Sequence, residues 1–168
     1  EILDLLLRMD LKTDLIDFPE GEASKTVQTC LEILEKMAGL GADRTSAVIA
    51  LGGGVTGDVA GFAASIFMRG IPCIQIPTTL LAQVDSSIGG KTGVDTAGGK
   101  NCIGTFHQPK AVFSDLSFLK SQPEAEIRNG LAEIVKYGII ESPEILDILD
   151  EQAESLLLRD AALLEGLV

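Results

Sequence analysis

The pattern of apolar positions predicts an α/β fold for the first two thirds of the chain. Residues 45–51 and 71–77 are continuous apolar runs without polar alternation, which is typical of parallel strands buried on both faces. Each run leads into a segment with helical spacing, at residues 58–68 and 80–87, and a further helix is predicted at residues 25–40. This order of strands and helices favours a parallel sheet with right-handed crossovers.

Shorter patterns fill the rest of this part. Residues 1–10 have helical spacing, residues 13–18 are typical of a short strand, and residues 110–114 predict one more strand. The polar, glycine-rich residues 89–104 are predicted to form a loop. Ser24 is the expected N-cap of the helix that follows it, because its hydroxyl can accept a free helix N–H.

The pattern changes near residue 122. Residues 124–141 and 143–159 are each predicted to form a helix, and no later segment is typical of a strand. We therefore predict an α/β domain at residues 1–122 and the start of a helical domain at residues 123–168. The second part holds about 45 residues, too few to close a hydrophobic core alone.

Composition and charge narrow the possible functions. Hydrophobic residues make up 46% of the 168 residues, which favours a globular protein over a disordered one. The net charge of −12 argues against nucleic acid or an anionic membrane as the main partner, although clustered lysines can still bind an anionic substrate. No stretch has the length and hydropathy of a membrane span, and no signal peptide is evident. Three cysteines without metal-like or disulfide-like spacing fit a reducing cytoplasm.

Polar and glycine residues follow both predicted strands directly. Gly52, Gly53 and Gly54 stand between the first strand and its helix, where backbone N–H groups and the helix N-terminus can bind a phosphate. The spacing differs from G-x-G-x-x-G, so a tight turn without a ligand is the alternative. Thr78 and Thr79 end the second strand, at the sheet edge where α/β proteins bind ligands, and N-capping of the next helix is their alternative role.

Charged residues in the glycine-rich segment form a second candidate group. Lys91 and Lys100 suit a phosphate or a carboxylate, while Asp85 and Asn101 can hold hydroxyl groups. The alternative is a solvated, flexible loop. We favour a ligand-binding segment, because the glycines alternate with specific polar residues, unlike the simple sequence of a linker.

A third candidate group lies in the helical part. Glu133 and Lys136 are three residues apart and share one face of a mostly apolar helix, so a carboxylate for a metal and a cation for an anion would lie together. The alternative is a surface ion pair that contributes little. His107 is the only histidine and is expected to be structural, since a zinc site takes several ligands. Arg69 follows a helix and could simply stabilise the helix C-terminus.

The segments that carry these groups closely resemble the 3-dehydroquinate synthases: GGGVTGDVAGF, MRGIPCIQIPTTLLAQVDSSIGGKTGV, GKNCIGTFHQP and GLAEIVKYG. The resemblance runs from about residue 21 to residue 140, and VDSSIGGKTGV is long and specific. Related sugar-phosphate cyclases usually differ in this segment, and glycerol and iron-dependent alcohol dehydrogenases lack these motifs. The resemblance implies a Rossmann-like parallel-sheet domain that binds NAD at residues 1–122, followed by the start of an all-helical metal-binding domain.

The resemblance also implies a reaction. These synthases convert 3-deoxy-D-arabino-heptulosonate 7-phosphate into 3-dehydroquinate and phosphate in the shikimate pathway, which leads to chorismate and the aromatic amino acids. NAD transiently oxidises a ring hydroxyl, phosphate is eliminated, the carbonyl is reduced again, and the ring opens and recloses by an aldol step. Oxidation acidifies the neighbouring C–H, which explains why a lyase uses a redox cofactor. A divalent metal, zinc or cobalt, would hold and polarise the hydroxyls. The resemblance implies a cytoplasmic enzyme.

The resemblance assigns roles to individual residues. The residues implied to line the NAD site are Glu22, Lys25, Gly53, Gly54, Val55, Asp58, Thr78, Thr79, Leu81, Lys100 and Phe118. Those implied to bind substrate and act in catalysis are Asp85, Lys91, Asn101 and Lys136. Glu133 is the implied metal ligand, and Arg69 would reach the substrate phosphate of a neighbouring subunit, which implies a homodimer.

The chain also departs from the family pattern. Asp95 stands where an asparagine usually follows KTGV, and Ser121 stands where a threonine begins T-x-P-x-x-E. Neither an earlier strand-rich segment nor the later helical stretch with two histidine ligands is present, so we expect a fragment that is inactive alone. The alternatives are a sibling cyclase for another sugar phosphate, such as sedoheptulose 7-phosphate, and a non-catalytic nucleotide-binding module. The retained charged residues argue against the module.

Overall fold

A three-stranded parallel sheet forms the centre of the first part of the molecule. In the computed structural model, which describes residues 2–168, β1 (Val48–Gly52), β2 (Cys73–Pro77) and β5 (Ala111–Val112) lie in the order β1-β2-β5. Both strand pairs are parallel. The apolar runs therefore predicted the strands and the α/β class correctly. The expected burial on both faces fails for β1, because its residues Ile49 and Leu51 are 36% and 44% exposed.

Three helices accompany this sheet. They are α1 (Ile2–Arg8), α2 (Val27–Gly39) and α3 (Gly54–Ile66). The predicted helix at residues 1–10 is confirmed for residues 2–8, whereas residues 9 and 10 form a turn and residue 1 lies outside the described residues. A core cluster joins α2 and α3 to the strands, and it includes Cys30, Ile33, Met37, Ala50, Val59, Phe62, Ala63 and Cys73.

Small residues allow α3 to lie close to β2. A Cβ added at Gly57 would lie 2.8 Å from Gln75 Oε1. In the space that glycine leaves, the buried Gln75 Nε2 donates a hydrogen bond of 3.2 Å to Gly57 O. A larger residue at position 57 would displace the Gln75 amide from this place and disturb the hydrogen bond. This close contact fixes the position of the N-terminal half of α3.

The glycine-rich segment is not a loop, which corrects the prediction for residues 89–104. It forms an antiparallel hairpin of β3 (Lys91–Thr96) and β4 (Gly99–Phe106). A Cβ at Gly104 would lie 2.1 Å from Thr92 O, so this glycine allows the backbones of the two strands to approach closely. The prediction failed because glycine was taken as a sign of flexibility, whereas here it is required by close packing of backbones.

Two further local predictions were wrong. Residues 13–18 are extended but belong to no strand, and their apolar side chains Ile16 and Phe18 pack on the first core instead. Ser24 ends a short 3₁₀ turn (Glu22–Ser24) and does not cap α2. Thr26 is the N-cap.

The capping contact at Thr26 explains where α2 begins. The Thr26 side chain accepts a hydrogen bond from the Thr29 N–H at 3.1 Å, which satisfies one free donor of the first turn. Lys25 consequently lies before the helix. Its backbone carbonyl is therefore free to bind another segment.

The turn between β2 and the hairpin is also helical, as predicted. Residues Ala82–Ser86 form a π-helical turn. The buried Gln83 lies inside it and donates through Nε2 to Pro77 O and Asp115 O, each at 3.1 Å. This side chain holds the segment after β2 against the segment after β5.

The helical part packs through a second core. It contains a 3₁₀ segment (Leu116–Ser121), α4 (Glu124–Ile140), α5 (Glu144–Leu157) and α6 (Ala161–Glu165), and no strand of the described chain follows residue 123. Its buried cluster draws on both sides of the predicted boundary, with Leu80, Val84, Leu119, Ile127, Ile134, Leu156 and Leu164. These helices therefore close a core only with help from the preceding part. No helix within residues 2–168 has the length and hydropathy needed to cross a membrane.

Candidate functional site

The carboxyl ends of β1 and β2 bring the two predicted phosphate-binding segments together. Gly52 pairs with Pro77 in the sheet register, and the Thr78 N–H donates to Gly52 O at 2.9 Å. Gly52 ends β1, Gly53 is the N-cap of α3 and Gly54 is its first residue. The glycine turn therefore leads straight into a helix N-terminus beside Thr78 and Thr79, as predicted.

Residues larger than glycine would clash with neighbouring side chains at two positions of this turn. A Cβ at Gly53 would lie 3.2 Å from Thr79 Cγ2, and a Cβ at Gly54 would lie 2.9 Å from Ser86 Oγ. The N-cap residue also offers no side-chain hydrogen bond to the first turn of α3. The side chains of Thr79 and Ser86 therefore already occupy the places where Cβ atoms at these two positions would lie. Free backbone N–H groups at a helix N-terminus are a typical binding site for a phosphate.

A cavity of about 430 Å³ lies between α3, the π-helical turn and the hairpin. Four predicted site residues line it: Asp58, Asp85, Lys91 and Asn101. Asp85, Lys91 and Asn101 were predicted as one group, together with Lys100, which does not line the cavity, and Asp58 was predicted at the cofactor. Lys91 is exposed, and its side chain forms no hydrogen bond or ion pair with another residue of the range 2–168.

A buried ion pair stands at one side of this cavity. Lys25 Nζ lies 2.6 Å from Asp58 Oδ2, and their side chains are only 8% and 17% exposed. Burial raises the pKa of Asp58, and the hydrogen bond and charge of Lys25 partly oppose that rise. Lys25 thereby keeps a carboxylate available in a desolvated position.

A second, exposed ion pair lies at the outer end of the hairpin. Lys100 Nζ is 2.9 Å from Glu22 Oε1. The hydrogen bond to Glu22 is the main cause of the raised pKa of Lys100. Both residues are predicted cofactor ligands, and the structure holds them next to each other across the start of α2 and the hairpin.

The α4 group lies near Asp85. Lys136 donates a hydrogen bond to Glu133, which raises the pKa of Lys136. The pKa of Tyr137 is also raised, first by burial and then by the charge of Asp85. The Glu133 side chain is 18% exposed and the Lys136 side chain is 51% exposed, so the pair is shielded from solvent only on the side of Glu133.

The described residues do not form a metal site by themselves. No group of three or more His, Cys, Asp or Glu side chains within residues 2–168 could hold a metal ion. His107 is structural, as predicted, because its Nε2 donates to Ile71 O at 3.0 Å. Glu133 supplies one carboxylate and no neighbouring ligand.

The other predicted site residues are not among the residues that line the cavity, and Arg69, Leu81 and Phe118 are three of them. Arg69 is exposed in a left-handed conformation with φ of 73°, and it binds no other side chain or carbonyl among residues 2–168. Leu81 and Phe118 lie after β2 and in the 3₁₀ segment respectively, and neither lines the cavity.

Several lining residues were missed by the sequence analysis: Ser86, Thr92, Gly93, Cys102, Gly104, Thr105 and Phe106. Thr92 and Thr105 pair across the hairpin, with their hydroxyls 3.0 Å apart, and Thr105 Oγ1 donates to Ser65 Oγ of α3 at 2.7 Å. This chain of hydroxyls fastens the hairpin to α3. Predicting it required the strand pairing, since the two threonines are distant in sequence.

Solved structures share this fold. The 2-epi-5-epi-valiolone synthase ValA from Streptomyces hygroscopicus subsp. jinggangensis 5008, which has NAD+ and Zn2+ bound, is 34% identical with a TM-score of 0.93 over 99% of this chain and 47% of that chain. A 2-deoxy-scyllo-inosose synthase complexed with carbaglucose-6-phosphate, NAD+ and Co2+ is 41% identical, with a TM-score of 0.70 over 73% of this chain and 34% of that chain. The fold and the glycine turn therefore place the chain in the Rossmann-like α/β class to which these synthases belong.

The sequence comparison defines the family. The family model for the 3-dehydroquinate synthase N-terminal region matches residues 15–129, and the chain belongs to the 3-dehydroquinate synthase family. The 3-dehydroquinate synthase of Symbiobacterium thermophilum is 51% identical over 158 residues, which is 94% of this chain and 44% of that relative. The chain thus spans less than half the length of this relative. The resemblance seen in the sequence is confirmed.

Proposed function

We propose that this chain forms the NAD-binding part and one wall of the substrate site of a 3-dehydroquinate synthase. The complete enzyme would convert 3-deoxy-D-arabino-heptulosonate 7-phosphate into 3-dehydroquinate and phosphate. The observation that carries this proposal is the single cavity that joins Asp58, Asp85, Lys91 and Asn101 beside the N-terminus of α3. Identity of 51% to a curated synthase supports the choice of substrate.

The glycine turn fits NAD. The backbone of Gly53, Gly54 and Val55 would hold the pyrophosphate at the N-terminus of α3, where an added Cβ at Gly54 would meet Ser86 Oγ at 2.9 Å. Other residues proposed to line the cofactor are Glu22, Lys25, Asp58, Thr78, Thr79, Leu81, Lys100 and Phe118. When bound, NAD supplies reversible hydride transfer to and from a substrate hydroxyl.

The side chains of the cavity would bind the polar groups of the substrate. Lys91 is an exposed cation without a protein partner in the described range and fits a phosphate or a carboxylate. Asn101 can both donate to and accept from hydroxyl groups, and Asp85 accepts from them. Lys136 is held as a cation because Glu133 raises its pKa, so it would bind an anion and would not remove a proton.

Other parts of the proposal concern groups that this chain does not complete. Residues 2–168 do not fit a divalent metal alone, so we assign no step to it and keep Glu133 as one proposed ligand. We therefore expect these residues alone to be inactive. We also propose a cytoplasmic homodimer in which the exposed Arg69 contributes to the partner's substrate site.

A sibling cyclase is the second candidate. The TM-score of 0.93 to a 2-epi-5-epi-valiolone synthase favours it, whereas the higher sequence identity to 3-dehydroquinate synthases favours the first candidate. Both candidates share the cofactor and the fold, so only the substrate distinguishes them.

The test is phosphate release by the complete synthase that contains this chain, with NAD, a divalent metal and 3-deoxy-D-arabino-heptulosonate 7-phosphate. We expect Lys91→Ala to lower kcat/KM by about 100-fold, because a charged contact to the substrate is lost. Lys36→Ala is the control. Lys36 is an exposed residue of α2 that donates a hydrogen bond to the backbone carbonyl of Asp17, and it does not line the cavity. Release from another sugar phosphate alone would identify a sibling cyclase, and NAD binding without any release would leave a binding module.

A further inference from the structure

The hairpin ladder is interrupted opposite Asp95. Val94 pairs with Ile103 and Thr96 pairs with Gly99, so Asp95 alone faces three residues of β4, residues 100–102. This irregularity leaves the backbone of those three residues without ordinary ladder partners. Their conformation must therefore be fixed by something other than the strand pairing.

The backbone of Asp95 binds a different segment. Its N–H donates to Lys25 O at 2.8 Å, and Asp95 forms an isolated parallel bridge with Thr26. The side chain of Asp95 takes over the missing contact to β4. Its Oδ1 accepts a hydrogen bond of 2.7 Å from the Asn101 N–H, in place of a backbone carbonyl.

This contact lies at a residue with a left-handed backbone. Asn101 has a φ of 55°, in a region that asparagine adopts more readily than most residues with a side chain but that still has to be selected over the extended conformation of a strand. A charge-assisted hydrogen bond to its N–H stabilises this conformation. The turn of the backbone at Asn101 has a consequence on each side: Lys100 reaches Glu22 at 2.9 Å, and Asn101 lines the cavity.

We propose that Asp95 is a positioning residue: by holding Asn101 in the left-handed conformation it directs Asn101 into the cavity and Lys100 to Glu22. This inference rests on the proposed function, in which Asn101 binds substrate and Lys100 binds NAD. Asp95 contacts neither ligand in this role. Asparagine at this position would keep a side-chain oxygen that accepts a hydrogen bond, so the role depends on the acceptor and not on the charge.

The experiment compares Asp95→Ala with Asp95→Asn in the complete synthase. In Asp95→Ala we expect exchange of the Asn101 amide hydrogen to accelerate about tenfold or more, and KM for the sugar phosphate and Kd for NAD to rise about tenfold each. Asp95→Asn is expected to stay within about twofold of the parent in all three. A purely structural role would lower the melting temperature and leave KM and Kd of the folded enzyme unchanged.

Three results would overturn the inference. They are an unchanged Asn101 exchange rate in Asp95→Ala, a faster exchange with KM and Kd unaltered, and an Asp95→Asn variant as impaired as Asp95→Ala. If Asp95→Ala does not fold, Asp95→Ala/Asn101→Gly replaces it, because glycine adopts a φ of 55° without strain. This double variant should keep its NAD affinity and lose substrate affinity, and loss of NAD affinity would contradict the inference.

The same experiment separates the inference from the proposed function. A parent enzyme that neither binds NAD nor releases phosphate would refute the function. The Asn101 exchange rate in Asp95→Ala would still report whether Asp95 holds this residue. Normal activity of the parent with an unchanged exchange rate would refute the inference alone.

Discussion

Two glycine-rich segments of this molecule use glycine for different purposes. In the glycine turn, Gly53 and Gly54 keep side chains away from a helix N-terminus, which would leave its backbone N–H groups to the proposed cofactor. In the hairpin, Gly93 and Gly104 let the backbones of two paired strands approach closely, and charged groups are carried by other residues of the hairpin. Glycine content alone does not distinguish these two cases. They are distinguished by the atoms that lie where a Cβ would be, which belong to side chains in the glycine turn and to the backbone in the hairpin.

The largest effect on stability is expected where the backbones of β3 and β4 approach closely. In Gly104→Ala the new Cβ would lie 2.1 Å from Thr92 O, a backbone atom that cannot move alone, and we expect a loss of about 3 kcal/mol of unfolding free energy. Gly98→Ala is the matched control in the same hairpin, because its Cβ would lie 3.5 Å from Thr96 Oγ1. Urea denaturation measures both. Equal stability of the two variants would refute the role of Gly104.

The second effect concerns the ion pair that links the two segments. Asp58 belongs to α3, while Lys25 binds Asp58 with its side chain and the hairpin residue Asp95 with its carbonyl. Lys25→Met leaves a buried carboxylate without its partner, and we expect a loss of about 3 kcal/mol at pH 7. The carbonyl contact to the hairpin is retained in this variant.

The pH dependence of Lys25→Met has a definite sign. The folded-state pKa of Asp58 is raised above its ordinary 3.8, so its contribution to stability is fully present below pH 3.8 and is lost as the pH rises through the folded pKa. Removing Lys25 raises that pKa further. The destabilisation should therefore be larger at pH 7 than below pH 3.8, as measured by urea denaturation. The opposite trend would contradict the assigned cause.

The third effect distinguishes ligand binding from stability at the glycine turn. In Gly54→Ala the nearest atom is Ser86 Oγ, at the end of a side chain that can turn away, so we expect less than about 1 kcal/mol of destabilisation. NAD affinity should fall about tenfold, because the methyl group occupies the approach of the pyrophosphate. Calorimetric titration measures the affinity. A stability loss as large as that of Gly104→Ala would remove the contrast between the segments.

The smallest effect is a difference in thiol reactivity that leaves the fold unchanged. Cys102 is exposed in the hairpin, whereas Cys30 and Cys73 are buried. Burial raises the pKa of Cys30, and that of Cys73 to about 11. At pH 8 iodoacetamide should modify Cys102 alone, as read by mass spectrometry. Rapid modification of Cys73 would contradict the buried position of β2.

The sequence was informative where one physical cause controls the pattern. Residues 45–51 and 71–77 are continuous apolar runs of strand length, so β1 and β2 were predicted from them, although Ile49 and Leu51 of β1 are exposed. The hairpin was missed because its glycines are required by the close approach of two backbones. A pattern of apolar positions gives no sign of such an approach. The residues 13–18 misled for the opposite reason, since their apolar side chains pack without a strand partner.

The site was predicted in the same uneven way. Lys91, Asp85 and Asn101 were selected by residue type and segment, and they do share a cavity. The Lys25–Asp58 ion pair and the contact from Asp95 to Asn101 join segments far apart in the chain or depend on a strand irregularity. Neither leaves a local signal. Contacts of this kind require the folded geometry.

The most direct test of the account is an NAD titration of the complete synthase, followed through the nitrogen-15 resonances of its glycine amides. We predict saturable shifts that are largest for Gly53 and Gly54, at the N-terminus of α3, and weaker binding in Gly54→Ala. Saturable binding with unshifted resonances of these two glycines would place the cofactor elsewhere. That result would contradict the central claim.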